Sequence, residues 1–299
     1  MRPVLRVGSR GSPLALRQTE LALRGLLRSS PGLRIEIVPM RTEGDRRARS
    51  GDFTDQIDAA LERGEVDVAV HSAKDLPVRL VRRVVIAATP RRGDPRDALV
   101  LRSPGSLATL RSGARLGSSS VRRRAELLSV RPDLEVVELH GNVGTRLARL
   151  ESRGLDGIVL AVAGLTRLGL EGRVHQRLPL GSFLPSPGQG TLAVLARSDD
   201  RATRKALSVL DHAPTHAALE AERAFGAELG ADCDTPIGAL ARRRNGHLEL
   251  RGVVLSRDGS IRITGRRSSG TGSGTSLGRV LARELLSRGA APLLTAGGE

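Results

Sequence analysis

Short apolar runs and segments of helical period alternate through the first 90 residues. Three runs, VLRVGS, RIEIVPM and VDVAV, have the length and composition of strands, and an amphipathic segment separates each from the next. The first helical segment begins with Ser12 and Pro13, which are favoured as N-cap and first helical residue, and the second ends at Gly64. This β-α-β-α-β order predicts an α/β domain with a mainly parallel sheet.

The same alternation resumes in residues 91–187. The runs ARLG, LEVVELH and LDGIVLAVAG predict strands, and SSSVRRRAELLSV and GNVGTRLARLESRG each predict a loop that continues into a helix. The Pro/Gly-rich segment LPSPGQG and the strand-like TLAVLAR follow, as expected of a crossover between two lobes. A second α/β lobe is therefore predicted.

After about residue 213 the pattern is different. A helix that ends at Gly230, two alternating segments around the hairpin signal Asp258-Gly259 and a closing helix predict a small α+β domain. Its strands have the alternation of a sheet with one wet face. The Ser/Gly-rich stretch RRSSGTGSGTS, residues 266–276, is predicted to be a loop.

The charge balance is strongly basic, with a net charge of +16. Only Lys74 and Lys205 are lysines, so nearly all of the basic residues are arginines, which suit planar carboxylate or phosphate ligands. The chain has no Trp or Tyr and three Phe, which argues against nucleic-acid binding by base stacking. No apolar run is long enough for a membrane span, and no signal-like segment stands at the N-terminus. We expect a cytoplasmic protein.

Arginines adjoin small residues at three predicted junctions between a loop and a helix. These are Arg10-Gly11-Ser12, residues 118–123 (SSSVRR) and residues 141–146 (GNVGTR). Arg122 and Arg123 would stand in the first turn of a helix, where the backbone already carries partial positive charge. Such an arrangement indicates an anion bound by backbone N–H groups and guanidinium groups together, although solvated arginines are an equally simple explanation for any one junction.

The stretch VDVAVHSAKDLP brings His71, Lys74 and Asp75 to the end of a buried strand. Sites in α/β proteins lie at the carboxyl ends of strands, so Asp75 is the best candidate for a catalytic carboxylate. His71 fits a hydrogen-bonded structural histidine equally well. No catalytic triad order, phosphate-binding P-loop or zinc-ligand spacing is present.

The chain has one cysteine, Cys233, within ELGADCDTPIGAL. A single cysteine forms neither an internal disulfide nor a Cys-x-x-Cys site, and one cysteine suits a reducing compartment. It is either a small buried apolar residue or a functional loop residue, and its Pro, Gly and acidic neighbours favour a loop. Asp232 and Asp234 disfavour the thiolate, so Cys233 would react only with a strong electrophile.

Nine motifs follow one another along the chain: SRGSPLAL, VDVAVHSAKDLP, GDPRDALV, GSSSVRRRAEL, GNVGTRLARL, LAVAGLTRLGL, PSPGQG, AERAF and CDTPIGA. In their order and spacing they resemble the porphobilinogen deaminase (hydroxymethylbilane synthase) family. The resemblance implies two periplasmic-binding-protein-like α/β lobes and a small C-terminal α+β domain. It further implies a crossover near Gln189 that returns to the first lobe. The expected domains are residues 1–90 with 188–212, residues 91–187, and residues 213–299.

The resemblance also implies an activity and a cofactor. The family condenses four porphobilinogen molecules into a linear tetrapyrrole of the haem pathway and releases ammonia at each step. The cofactor is a dipyrromethane joined by a thioether to a cysteine, here Cys233. Expected partners are porphobilinogen and a hand-off to uroporphyrinogen III synthase, with the chain a monomer and with no metal, membrane or nucleic acid. By position the cofactor would be held by Lys74, Asp75, Ser118, Ser120, Arg122, Arg123 and Arg146, and the substrate by Arg10, Ser12, His140, Arg146 and Arg167.

Several positions differ from the family pattern. The segment after Gly44-Asp45 is shorter and has lost its lysines, although Phe53 is kept. His140 stands where an arginine is usual, and Asp232 and Asp234 flank the cysteine in place of neutral residues. These differences leave two alternatives open: a divergent paralogue with altered activity, or a non-catalytic two-lobed binder of an anionic small molecule.

Overall fold

The computed structural model describes residues 4–40, 54–232, 234–269 and 273–295. Two compact units are found: a first unit of Met1–Gly93 with Gly190–His216, and a second unit of Asp94–Gln189 with Ala217–Glu299. The described strands form three sheets, one in the first unit and two in the second.

The first unit is built on a five-stranded sheet of order β2-β1-β3-β10-β4. Its strands are β1 (Val4–Arg10), β2 (Arg34–Met40), β3 (Val68–Ser72), β4 (Val84–Ala88) and β10 (Leu192–Arg197). Strand β1 runs parallel to both β2 and β3, whereas β10 runs antiparallel to β3 and β4. Its helices are α1 (Pro13–Ser29), α2 (Asp55–Arg63) and α6 (Arg201–Leu207), and a short 3₁₀ turn, Ala73–Asp75, follows β3.

Local sequence signals place the ends of these elements. Ser12 caps α1 by accepting a hydrogen bond from the Ala15 N–H at 3.3 Å, and Pro13 is the first helical residue. Helix α2 ends at Gly64, which has a left-handed backbone (φ 77°) that costs glycine little. The apolar face of α1, including Leu23 and Leu26, packs on the sheet and buries one contiguous core.

The second unit contains a five-stranded sheet of order β7-β6-β8-β5-β9. Its strands are β5 (Asp97–Leu101), β6 (Arg115–Gly117), β7 (Glu135–Val137), β8 (Gly157–Ala161) and β9 (Gln176–Arg177). Its helices are α3 (Val121–Val130), α4 (Val143–Ser152) and α5 (Val162–Arg167). Successive residues of β5 lie in two different cores, Leu99 in one and Val100 in the other, so both faces of this sheet are buried.

A three-stranded antiparallel sheet completes the second unit, with β11 (Ile237–Arg244), β12 (His247–Leu255) and β13 (Arg262–Ser269) in sequence order. Helices α7 (Ala213–Glu228) and α8 (Gly274–Leu285) cover one face, where Phe225 and Leu281 are fully buried; α9 (Ala291–Thr295) follows. The other face is only partly wet, because Val253 and Leu255 pack against Ala125 and Leu184. This packing unites the small sheet with the second α/β sheet.

The α/β class with mainly parallel sheets and the additional α+β part are confirmed. The crossover segment does return to the first sheet, as β10. The loop predicted for residues 266–276 is wrong at its start, because β13 continues to Ser269 by pairing with β12. The division into three domains at residues 90, 187 and 213 stays a prediction. No helix among the described residues is long and apolar enough to cross a membrane.

Candidate functional site

The first unit has a small polar cavity at the carboxyl end of its sheet. Strands β1 and β3 are parallel neighbours, so Arg10 at the end of β1 and Asp75 just after β3 reach the same edge. The cavity has a volume of about 50 Å³. Its polar lining residues are Arg10, Ser12, Gln18, His71, Ser72 and Asp75. Three of the predicted site residues, Arg10, Ser12 and Asp75, are thus brought together by the fold.

Asp75 and Lys74 share the 3₁₀ turn after β3 but differ in placement. Asp75 is half-buried and lines the cavity, whereas Lys74 is exposed and is not among the lining residues. Within the described chain, no hydrogen bond of the Asp75 carboxylate is observed. Asp75 therefore offers a carboxylate to whatever enters this cavity.

His71, on β3, forms a hydrogen bond with a carboxylate, as predicted for a structural histidine. Its Nε2 lies 2.9 Å from Oδ1 of Asp58 on α2. The side chains are 3% and 1% exposed, so the pair is buried, yet His71 also lines the cavity.

The second unit holds Arg122 and Arg123 in a buried network of charges. Arg122 Nη1 donates to Asp97 at 2.8 Å and to Glu126 at 2.6 Å, and Arg123 Nη2 donates to Asp97 at 2.7 Å. All four side chains are at most 6% exposed. Asp97, at the start of β5, is therefore one anion that these two arginines bind within the protein.

The network shifts the pKa values of the two carboxylates in opposite directions. Burial alone would raise the pKa of Asp97, but Arg122 and Arg123 outweigh it and hold the pKa well below its usual range. Burial raises the pKa of Glu126 to about 8, against the opposing effect of Arg122 and with the help of the nearby Asp97. Glu126 Oε1 also accepts the Leu184 N–H at 2.6 Å, which ties the crossover segment to α3.

Two predicted serines lie at the N-terminus of α3. Ser120 is the N-cap and accepts the Arg123 N–H at 3.4 Å, and Ser118 Oγ accepts the Ser120 N–H at 3.2 Å. Ser118 is buried and Ser120 is half-buried. Both hydroxyls retain a hydrogen to donate, so the helix end can still meet an anion.

Helix α4 has the third junction. Asn142 caps it by accepting the Thr145 N–H at 2.9 Å, and Arg146 Nε donates to the Gly141 carbonyl at 2.7 Å. Arg146 Nη2 lies 3.4 Å from Ser119 Oγ, so the junctions of α3 and α4 adjoin. His140 precedes them, and its Nε2 lies 3.3 Å from Glu138.

Arg167 ends α5 and differs from the arginines of α3. Burial lowers its pKa to about 10. Burial also lowers the pKa of Arg223 on α7. A desolvated guanidinium gains most from an anionic ligand.

Cys233 lies outside the described residues, as do Gly44, Asp45 and Phe53. The neighbouring Asp232 forms a turn: its Oδ1 accepts the Asp234 N–H at 3.0 Å and the Thr235 hydroxyl at 2.6 Å. The positive-φ residues other than glycine in the described chain are Arg83 and Asn245, so Asp232 carries no left-handed strain. The Asp232 carboxylate is thus engaged within its own turn.

Sequence reasoning missed Asp97 and Glu126. Asp97 begins DALVL, a strand whose other residues are all apolar, and an acid at the start of a fully buried strand is the signal that could have revealed it. Glu126 stands four residues after Arg122 on α3, the spacing of an ion pair on one helix face.

Comparison with known proteins gives matches over nearly the whole chain. A family model described as "Porphobilinogen deaminase, dipyromethane cofactor binding domain" matches residues 5–205, and one described as "Porphobilinogen deaminase, C-terminal domain" matches residues 217–287. A porphobilinogen deaminase of Xanthomonas euvesicatoria is 45% identical over 298 residues, which cover 97% of this chain and 98% of that protein. One from Roseiflexus sp. is 42% identical over 302 residues, covering 98% and 99%.

Among solved structures, the methionine-binding protein MetQ is similar with a TM-score of 0.47 and 14% identity. The likeness covers 70% of this chain and 90% of that one. It is too weak to add anything about ligand or activity.

Proposed function

Because the chain belongs to the porphobilinogen deaminase family, we propose that it is a hydroxymethylbilane synthase, a transferase of haem biosynthesis. It joins four porphobilinogen molecules head to tail and releases one ammonia at each step. The observation that carries this proposal is the near full-length identity to porphobilinogen deaminases, 45% over 97% of the chain. The polar cavity beside Asp75 supports it.

The lining of the first unit's cavity presents groups that suit an anionic pyrrole substrate. Porphobilinogen carries an acetate and a propionate, and Arg10 together with the N-terminus of α1 at Ser12 provides donors for a carboxylate. Positive charge develops on the pyrrole as ammonia leaves, and the Asp75 carboxylate stabilises it and can accept a proton. Arg146, Arg167 and His140 are the further substrate residues that we propose in the second unit.

The donor chemistry of the second unit fits a dipyrromethane with its carboxylates. Ser118 and Ser120 stand at a helix N-terminus, and below about pH 8 a protonated Glu126 leaves Asp97, Arg122 and Arg123 with a net charge of +1. We propose that these serines and arginines, with Arg146, Lys74 and Asp75, hold the group, and that Cys233 binds it through a thioether. When bound, it supplies the primer on which the chain is built.

The site as proposed needs no metal and no nucleic acid. On the strength of the family membership, we further propose a cytoplasmic monomer whose product passes to uroporphyrinogen III synthase.

Intact mass of the purified protein tests the function. We expect an added mass equal to two pyrrole units, which Cys233→Ser abolishes and Asp234→Asn, one residue away, retains. An unmodified wild-type mass after incubation with porphobilinogen would contradict the proposal. Binding of porphobilinogen without ammonia release would identify the chain as a non-catalytic binder, and slow release as a divergent paralogue.

A further inference from the structure

Each condensation produces a proton that must leave the site. The step forms a bond between the methylene carbon of one unit and the α-carbon of the next pyrrole. The C–N bond breaks and ammonia departs with the bonding electrons. The α-carbon then loses its proton, and the C–H electrons restore the aromatic ring. One protonated aminomethyl group and one neutral pyrrole thus give the product, one ammonia and one proton, and a carboxylate that accepts this proton must release it before the next cycle.

From the geometry of the first unit we propose that His71, oriented by Asp58, relays this proton from Asp75 to solvent. The inference rests on the proposed function and adds a positioning pair to it. His71 and Asp75 line the same cavity, and His71 Nε2 lies 2.9 Å from Asp58 Oδ1.

Asp58 selects the tautomer that the relay needs. It stands in the first turn of α2, and a carboxylate group can only accept hydrogen bonds. Nε2 of His71 therefore carries hydrogen, and the neutral ring keeps Nδ1 as a proton acceptor. This is the orienting role of an aspartate behind a catalytic histidine.

The cavity supplies the path between the two residues. A water molecule needs roughly 10–15 Å³ of such space together with polar partners, so a cavity of about 50 Å³ holds about three waters. Ser72, Gln18 and Ser12 are polar lining residues that can bind them. The proton passes from Asp75 through water to Nδ1, and His71 returns it to solvent through the same water.

A purely structural pair would explain the burial but not the position. The charged groups that the described residues bring to His71 are Asp58 behind it and Arg10 and Asp75 across the cavity. A buried Asp-His pair that only tied α2 to β3 would have no reason to line the cavity beside the catalytic carboxylate.

Asp58→Asn distinguishes a proton relay from a purely structural pair. The amide can donate to Nε2, so the hydrogen bond is retained while the tautomer is reversed and Nδ1 carries hydrogen. We expect kcat to fall roughly 10- to 100-fold, since positioned proton-transfer groups contribute about 10²–10⁴. KM should stay within about twofold, the cofactor mass should be retained, and the shape of the pH–kcat profile should change.

His71→Gln tests the other member of the pair, because glutamine can still donate a hydrogen bond to Asp58 but cannot accept and release a proton. The double variant should be no slower than either single one. His216→Gln is the matched control: its ring also meets an aspartate, Asp211, at 2.9 Å in the same unit, but it does not line the cavity. Its kcat and pH profile should equal those of the wild type.

Wild-type kcat and an unchanged pH profile in Asp58→Asn would overturn the relay while leaving the proposed function intact. An unloaded, inactive wild type would overturn the function and the relay together. If neither variant folds, nitrogen-15 NMR of wild-type His71 decides: hydrogen on Nε2 at neutral pH supports the relay, and hydrogen on Nδ1 alone contradicts it.

Discussion

The two five-stranded sheets share one plan but place their charges differently. The strand order is β2-β1-β3-β10-β4 in one sheet and β7-β6-β8-β5-β9 in the other. In both sheets the fourth strand of this order is antiparallel to its neighbours, and the other four strands are parallel to one another. In the first unit, Arg10 and Asp75 face a cavity at the strand ends. In the second, Asp97 turns into the protein and meets Arg122 and Arg123.

The difference shows that burial, and not residue type, decides what a charged side chain does. An arginine enclosed with a carboxylate contributes to the stability of the fold, because separating the pair would leave an uncompensated charge in a dry interior. A carboxylate beside an open polar cavity is weakly engaged by the protein and remains available to a ligand. Variants of the two aspartates should therefore behave in opposite ways.

Asp75→Asn should give the largest effect on turnover. The loss of its charge and of its proton acceptor should lower kcat by about 10²–10⁴. The fold should be unaffected, since no internal hydrogen bond of this carboxylate is observed in the described chain. Ammonia release measures the turnover, and thermal unfolding measures the stability of the fold. Substantial turnover would show that the catalytic acid lies elsewhere.

Asp97→Asn should instead act mainly on the stability of the fold. It leaves two buried guanidinium groups without their shared carboxylate, so we expect the free energy of unfolding to fall by about 3–5 kcal/mol. Urea denaturation at neutral pH measures it. Asp199→Asn is the control, because Asp199 and its partner Arg83 are both more than half exposed, and it should leave the midpoint nearly unchanged. Equal midpoints for the two variants would refute the contrast between buried and exposed pairs.

Glu126→Gln should give a smaller effect, visible as a pH dependence. The pKa of Glu126 is raised from 4.5 to about 8 in the folded chain, so its protonated form stabilises the fold fully below pH 4.5, and this contribution is lost as pH rises through 8. The stability of the wild type relative to the glutamine variant should therefore decline between pH 5 and 8 and level off above it. Denaturation series at several pH values measure the difference; a constant difference would mean that Glu126 is ionised throughout, which would leave the arginine cluster neutral.

Local chemistry predicted much of the fold, and contacts distant in sequence account for what it missed. The caps at Ser12 and Gly64 and the hairpin at Asp258-Gly259 depend on neighbouring residues and were placed correctly. The Ser/Gly-rich start of residues 266–276 has weak local preference, and pairing with β12 makes it a strand. Arg122 and Arg123 have a partner that local sequence does not reveal, because the structure shows donors of both bonded to Asp97, about 25 residues earlier.

The sequence alone determined the order of strands and helices, the family resemblance through the spacing of its motifs, and the candidate residues Asp75 and Cys233. Only the tertiary structure decided which charges are enclosed and which face open space. It also brought Asp58 behind His71 and turned the Asp232 carboxylate onto its own loop. The reason is physical: periodicity and capping are short-range properties of a chain, whereas desolvation and ion pairing depend on which distant segments the fold packs together.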